Sequence, residues 1–273
     1  MKAKSAKYYA TFAKNIRMNV LEMVIRGKSG HIGSSFSMAD ILAVLYGSVL
    51  AINPKKPTDP NRDRFILSKG HAAASIYAAL ALKGFFSEKM LLGYYQNGGK
   101  LPGHVTHKWA AGVEASSGAL GHGLPLGCGM AYAGKADKKN YRVFVALSDG
   151  ECDEGTIWEA ALFAAHHKLD NLVVIVDYNK IQSLTWVKDT IGLEPFRDKW
   201  EAFGWTVREV DGHNHIALEK TLSRIPAKKG KPTCIIAHTT KGAGVSFMED
   251  NNLWHYRTPD EKEAENARKE LTS

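Results

Sequence analysis

Apolar and polar positions change period along the chain. Ile41, Leu42, Leu45 and Val49 recur at helical intervals behind Ser37-Met38-Ala39-Asp40, which has the spacing of a capping box. A second apolar helix is predicted from His71 to Leu80, after the turn-like Ser68-Lys69-Gly70. Further on, Val143-Phe144-Val145-Ala146-Leu147 and Leu172-Val173-Val174-Ile175-Val176 are unbroken apolar runs, the pattern of strands buried on both faces. Between them Thr156 to Lys168 reads as a helix opened by Thr156-x-x-Glu159. This is a βαβ unit, and its right-handed crossover makes the strands parallel, with both C-terminal ends on one edge of the sheet. Trp205-Thr206-Val207 and Thr233-Cys234-Ile235-Ile236-Ala237, with a helix from Ile216 to Ile225 between them, continue the alternation. The predicted class is α/β, an open, doubly wound, mostly parallel sheet with helices on both faces. No internal repeat or low-complexity linker interrupts it, so a single domain over 1–273 with helical terminal segments is expected.

Composition narrows the function classes. With 44% apolar and 23% charged side chains in 273 residues, the chain can bury a sizeable core and is no disordered segment. No apolar run of about eighteen residues is evident, and the basic start MKAKSAKYYATFAKNIR has no apolar stretch after it, so a cytoplasmic protein without a membrane segment is expected. Cys128, Cys152 and Cys234 are odd in number and widely spaced, which suits buried or incidental thiols rather than a zinc site or disulfide framework. The net charge of +8 suits phosphate-bearing substrates, an acidic partner or nucleic acid equally. The lysines fall in short groups such as Lys55-Lys56 and Lys138-Lys139 without an RNP, KH or zinc-finger signature, so no nucleic-acid partner is expected.

Ligands of such a sheet bind beyond the strand C-termini, where this chain places Ser148-Asp149-Gly150-Glu151-Cys152-Asp153-Glu154-Gly155 and Asp177-Tyr178-Asn179-Lys180-Ile181. The Asp149 carboxylate, the Asn179 amide oxygen and a backbone carbonyl near Ile181 are hard donors suited to Mg²⁺ or Ca²⁺, with positions left for two phosphate oxygens and water. Gly150 permits a sharp turn, and the N-terminus of the following helix favours a diphosphate. Either loop alone is an ordinary turn; their joint position makes a candidate metal and diphosphate site.

Asp149-Gly150 followed about thirty residues later by Asn179 resembles the thiamine-diphosphate motif, with Ser148 in place of its first glycine. Almost the whole chain resembles the N-terminal section of transketolases, especially those encoded as two polypeptides. The resemblance rests on Ser29-Gly30-His31-Ile32-Gly33, Leu67-Ser68-Lys69-Gly70-His71, Leu101-Pro102-Gly103-His104 and Ser117-Gly118-Ala119-Leu120-Gly121-His122-Gly123 ahead of Ser148-Asp149-Gly150. It continues downstream in Thr239-Thr240-Lys241-Gly242-Ala243-Gly244 and Trp254-His255.

The resemblance implies that His31, His71, His104 and His255 are catalytic, lining the substrate channel as hydrogen-bond donors and proton carriers. It implies cofactor contacts from Gly118, Leu120, Gly121, His122 (commonly Gln in the family), Gly150, Glu151, Glu154, Asn179 and His71. Asp149, Asn179 and Ile181 would bind Mg²⁺, with Ca²⁺ or Mn²⁺ as alternatives, and Glu154 and Glu159 match carboxylates near the contact between cofactor-binding halves. His107, His166, His167, His213, His215 and His238 fall in no comparable motif. The implied activity is transfer of a two-carbon ketol unit from a ketose or ketose phosphate to an aldose or aldose phosphate. A pyrimidine-binding domain of roughly 100–200 residues, which supplies the activating Glu in such enzymes, does not fit after Trp254-His255. A separate C-terminal transketolase subunit is therefore expected, in a heterotetramer with two of each chain. Two other readings remain open: a component of a thiamine-dependent 2-oxo-acid decarboxylase or dehydrogenase, and a non-catalytic cofactor-binding regulatory subunit.

Overall fold

The structure is a computed structural model that describes residues 4–272; the first three residues of the basic start and Ser273 lie outside the described residues. Among the described residues five strands, β1 (Arg64–Leu67), β2 (Val143–Ser148), β3 (Leu172–Tyr178), β4 (Thr206–Asp211) and β5 (Thr233–His238), form one sheet in the order β1-β2-β3-β5-β4. Every pairing is parallel, so all five C-terminal ends share an edge. β3 lies at the centre, and all seven of its residues are buried. At the sheet's margin β4 buries Val207 and Val210 but exposes Glu209 and Asp211, a mixed pattern that hid its length in the sequence. β1 is four residues long and opens on Arg64, too short to give a periodic signal.

Ten helices among the described residues surround the sheet: α1 (Ala6–Gly27), α2 (Ile32–Ser37), α3 (Ala39–Val44), α4 (Ala73–Lys83), α5 (Gly123–Ala136), α6 (Gly155–His166), α7 (Val187–Thr190), α8 (Phe196–Ala202), α9 (His215–Leu222) and α10 (Glu261–Thr272). Alternate strand residues feed two cores. Phe144, Ala146, Val173, Ile175 and Ile235 pack with apolar residues of α1, α3, α4 and α9; Val143, Val145, Leu147, Val174, Val176 and Ile236 pack with those of α5, α6 and α8. Helices thus cover both faces, as the apolar runs predicted. α1 follows the same logic: the Ser5 hydroxyl caps it at Tyr8 N (3.2 Å), its stripe Tyr9, Phe12, Ile16, Val20 and Val24 is buried, and left-handed Lys28 ends it.

Local expectations fail where side chains have longer-range work. Ser37 caps nothing; its hydroxyl donates to Asp177 Oδ2 at 2.6 Å, and α3 starts after Met38. α6 begins at Gly155, and Thr156 Oγ1 reaches the Gly121 carbonyl at 3.1 Å instead of opening the helix. His71 lies in a short 3₁₀ turn, Gly70–Ala72, ahead of α4, and α9 stops at Leu222. The segment Ile32–Val49 is, contrary to expectation, long and apolar enough by length and composition to cross a membrane. Every residue of it is buried inside the fold, where α3 packs between α1, α4 and α9. All three cysteines are free and buried, and burial pushes the Cys128 thiol up to about 12.

Candidate functional site

The turns that leave β1, β2, β3 and β5 meet at the C-terminal edge around a cavity of about 220 Å³. Close backbone approach makes this possible: a Cβ on Gly70 would stand 2.3 Å from the Ser117 carbonyl oxygen, so only glycine lets the β1 turn and the 117–123 loop touch. Ser148 accommodates its departure from the motif by accepting Glu151 N on its hydroxyl (3.3 Å) and donating its own N–H to Glu151 Oε2 (3.1 Å).

Asp149 forms the floor, 1% exposed, with Oδ1 accepting Gly150 N at 2.7 Å and Oδ2 accepting Lys180 N at 2.5 Å. Burial, and then the charge of Asp177, push its carboxyl up to about 7. A cation beside it would favour the ionised form. Asn179 donates to Asp177 Oδ2 (3.3 Å), which fixes the amide and turns its oxygen to Ile181 N (3.1 Å). Buried Asp177 also receives Lys69 Nζ and the Thr239 hydroxyl; burial would raise its pKa, but the Lys69 ammonium together with the Ser37 and Thr239 hydrogen bonds holds it below the usual range. The Ile181 carbonyl accepts Lys241 Nζ at 3.1 Å and retains a second lone pair. No cluster of three or more His, Cys, Asp or Glu is placed to hold a metal among the described residues. One carboxylate, one amide oxygen and one carbonyl are a partial hard-oxygen set, which fits a divalent ion that also takes diphosphate oxygens and water.

The four histidines from four separate motifs converge. The His31 ring centroid lies 5.2 Å from that of His71, 5.8 Å from that of His104 and 5.1 Å from that of His255. Burial and then the neighbouring His104 lower His31 to about 4; burial and then Lys241 lower His255 to about 3; burial and then Lys69 put His71 well below the ordinary value. These three rings are neutral at pH 7 and can each donate and accept a hydrogen bond. His255 Nδ1 sits 2.8 Å from Lys241 Nζ, so an ammonium there makes Nδ1 the acceptor and leaves the proton on Nε2.

Of the expected cofactor contacts, Gly118, Leu120, Gly150, Asn179 and His71 line the cavity, as do Asp149 and Ile181. Gly121, His122, Glu151 and Glu154 do not. The turn after Asp149 curls back from the edge and buries Glu151 behind the loop, where Oε1 takes the Ser68 hydroxyl and Gly121 N (2.8 Å). Its burial raises its pKa against the pull of those hydrogen bonds. His122 is exposed with Nδ1 on the Leu120 carbonyl (3.1 Å), and Glu154, directly before α6, and Glu159 on it are exposed. Two buried cations join the site without having been expected there. Lys69 is fully buried and Lys241 is 1% exposed, and burial with the charge of Lys69 lowers Lys241 to about 8. Both lie in the motifs quoted above, directly beyond strand ends, and that position was the available signal.

The profile of the family described as transketolase, thiamine diphosphate binding domain, matches residues 9–272. The chain is 41% identical over 256 residues to one subunit of the apulose-4-phosphate transketolase of Phocaeicola vulgatus, covering 94% of this chain and 91% of that one. It is 40% identical over 243 residues to the 6-deoxy-6-sulfo-D-fructose transketolase subunit SqwG of Clostridium sp. strain MSTE9, covering 89% and 88%. Against human transketolase it is 39% identical over 262 residues, which span 96% of this chain and 41% of the human one. The crystal structure of Campylobacter jejuni transketolase superposes with a TM-score of 0.92 at 32% identity, over 98% of this chain and 43% of that chain.

Proposed function

The chain belongs to the transketolase family as its thiamine diphosphate binding domain, and from that premise we propose that it is the cofactor-binding subunit of a two-component transketolase. The observation that carries the reading is the joining, at one sheet edge, of the Asp149–Asn179 oxygen donors, two buried lysines and four histidines. Such a set binds an anionic cofactor at one end and handles sugar hydroxyls at the other. Relatives named as single subunits of a transketolase span nearly the same length as this chain, whereas the full-length transketolases are more than twice as long. That relation supports a separate companion carrying the pyrimidine-binding domain, which we place in a cytoplasmic heterotetramer with two of each chain.

Asp149, Asn179 and the Ile181 carbonyl would hold Mg²⁺, and Lys241 would offset the charge of the diphosphate, while Lys69 neutralises Asp177. Thiamine diphosphate, when bound, supplies the electron sink for the carbon–carbon bond that is cut. The chain's own part is to orient and to move protons. Neutral His31, His71 and His255, with His104 beside them, present donors and acceptors to the hydroxyls and carbonyl of a ketose, and Leu120 and Gly118 close the wall against water. The two relatives are named for apulose 4-phosphate and a sulfofructose, and an anionic ketose is the donor class we propose here. We set the 2-oxo-acid reading aside because the relatives are transketolase subunits and the histidines suit polyol substrates.

The test is co-expression with the neighbouring reading frame, followed by ketol-transfer assays with thiamine diphosphate and Mg²⁺ on this chain, on the companion and on their mixture. Turnover is expected only from the mixture. Full specific activity from this chain alone, or carbon dioxide release from 2-oxo acids in place of ketol transfer, would reject the proposal.

A further inference from the structure

Lys241 reaches the cavity from a loop in which the backbone N–H groups of Thr239, Thr240 and Gly242 each have their own acceptor. Thr239 N donates to the Tyr178 carbonyl at 3.2 Å and Gly242 N to the Gly33 carbonyl at 3.0 Å. Thr240, directly before the lysine, lies outside every strand, and its N–H donates to a side chain, His213 Nε2, at 2.8 Å. A backbone N–H only donates, so Nε2 presents its lone pair and the ring proton sits on Nδ1, 2.7 Å from Asp40 Oδ2. Asp40 is itself held: it is 4% exposed, its Oδ1 lies 2.7 Å from His215 Nε2 and its Oδ2 2.5 Å from Arg17 Nη2. Arg17 Nη2 also donates to the Phe36 carbonyl at 3.2 Å.

We infer that His213 is a positioning residue for the cofactor site: Asp40 fixes its tautomer, and the fixed ring holds the Thr240 amide so that Lys241 meets Ile181, Gln182 and His255. His213 does not line the cavity, so it acts through the loop and not by contact. The Lys241 ammonium needs an accurate origin because three partners share it, the Ile181 carbonyl at 3.1 Å, the Gln182 carbonyl at 2.9 Å and His255 Nδ1 at 2.8 Å. Loss of the Thr240 anchor would free the backbone one residue from that stem. The inference rests on the reading of Lys241 as a cation facing the diphosphate.

The experiment is calorimetric titration of thiamine diphosphate with Mg²⁺ into the complex with its companion, for wild type, H213F, H213Q and K241A. H213F keeps a ring of similar size and loses both hydrogen bonds; H213Q restores an oxygen that can take the Thr240 N–H. H213F should weaken the affinity on the order of fivefold, the worth of one hydrogen bond, and H213Q should recover most of it. K241A should weaken it on the order of tenfold or more, as expected for a charged partner. Unchanged affinity in K241A would reject the reading of Lys241. Weakening in K241A with wild-type binding in H213F, or no recovery in H213Q, would overturn the role of His213. A measurement on the unmutated protein guards against a variant that does not fold: ¹⁵N shifts of the His213 ring should show a protonated Nδ1 and a bare Nε2, and the reverse pattern would overturn the inference by itself.

Discussion

His31 sits at φ 68°, in the left-handed region that few residues other than Gly adopt, with its N 2.6 Å from the His255 carbonyl oxygen. That conformation sets the ring among three other imidazoles and, with burial, holds it neutral far below its ordinary pKa of 6.5. The unfolded chain therefore takes up this proton at a pH where the folded chain does not. Stability from this group is complete above pH 6.5 and is lost as the pH falls toward about 4. His31→Asn, which tolerates the backbone conformation, removes the titrating group, so its stability relative to wild type should rise across that window. Urea midpoints of both proteins at several pH values check this; a constant difference would mean that His31 is not held neutral. The four cavity histidines were legible because each lies in a short motif whose residues keep their spacing. His213 and Asp40 were not, since a pair 173 positions apart leaves no local trace.

α5 connects the 117–123 loop to the face of the sheet, and one glycine sets its distance. A Cβ on Gly127 would stand 2.5 Å from Val145 Cγ2 in β2, whereas a Cβ on Gly129, one half-turn away, would meet nothing within 4 Å. Gly129→Ala should raise stability by about 0.5–1 kcal/mol through helix propensity alone. Gly127→Ala gains the same propensity but must push α5 off the sheet, at a cost of about 1–3 kcal/mol, and should lower stability. Thermal unfolding of the two variants decides; equal upward shifts would show that β2 yields and that Gly127 does not fix the helix. Among elements, the central strands were readable because a strand buried on both faces is a continuous apolar run. The short β1 was not, the half-exposed β4 showed only its first residues in Trp205-Thr206-Val207, and the start of α6 was misplaced because Thr156 bonds across to the Gly121 carbonyl rather than to its own helix.

At the scale of the molecule, the outer surface of α5 and α6 carries a group of exposed apolar side chains. Leu126, Tyr132, Leu162 and Phe163 are exposed there, with the Tyr132 and Phe163 rings 6.0 Å apart, and few charges interrupt them. Exposed apolar surface of this kind is where the companion proposed above would dock. Docking there would tie assembly to the cofactor site, because α5 follows the loop that carries Gly118 and Leu120 and α6 follows the turn that carries Asp149. A chain closing over these helices would steady both loops at once. Leu162, 59% exposed, contributes little to the fold of the isolated chain, so Leu162→Glu should leave its unfolding temperature almost unchanged. In the assembly the same change would force a carboxylate against apolar surface, a desolvation cost large enough to weaken association at least about tenfold, or about 1.4 kcal/mol. Titrating companion into a fixed amount of this chain and following ketol transfer should then give a curve shifted to higher companion concentration with the same plateau, because the cavity residues are intact once the complex forms. Light scattering on the same mixtures should show the assembly shifting in step. A lowered plateau with an unshifted midpoint would place Leu162 in the catalytic path and not at an interface, and an unchanged curve would mean that the α5–α6 face stays open to solvent in the working enzyme.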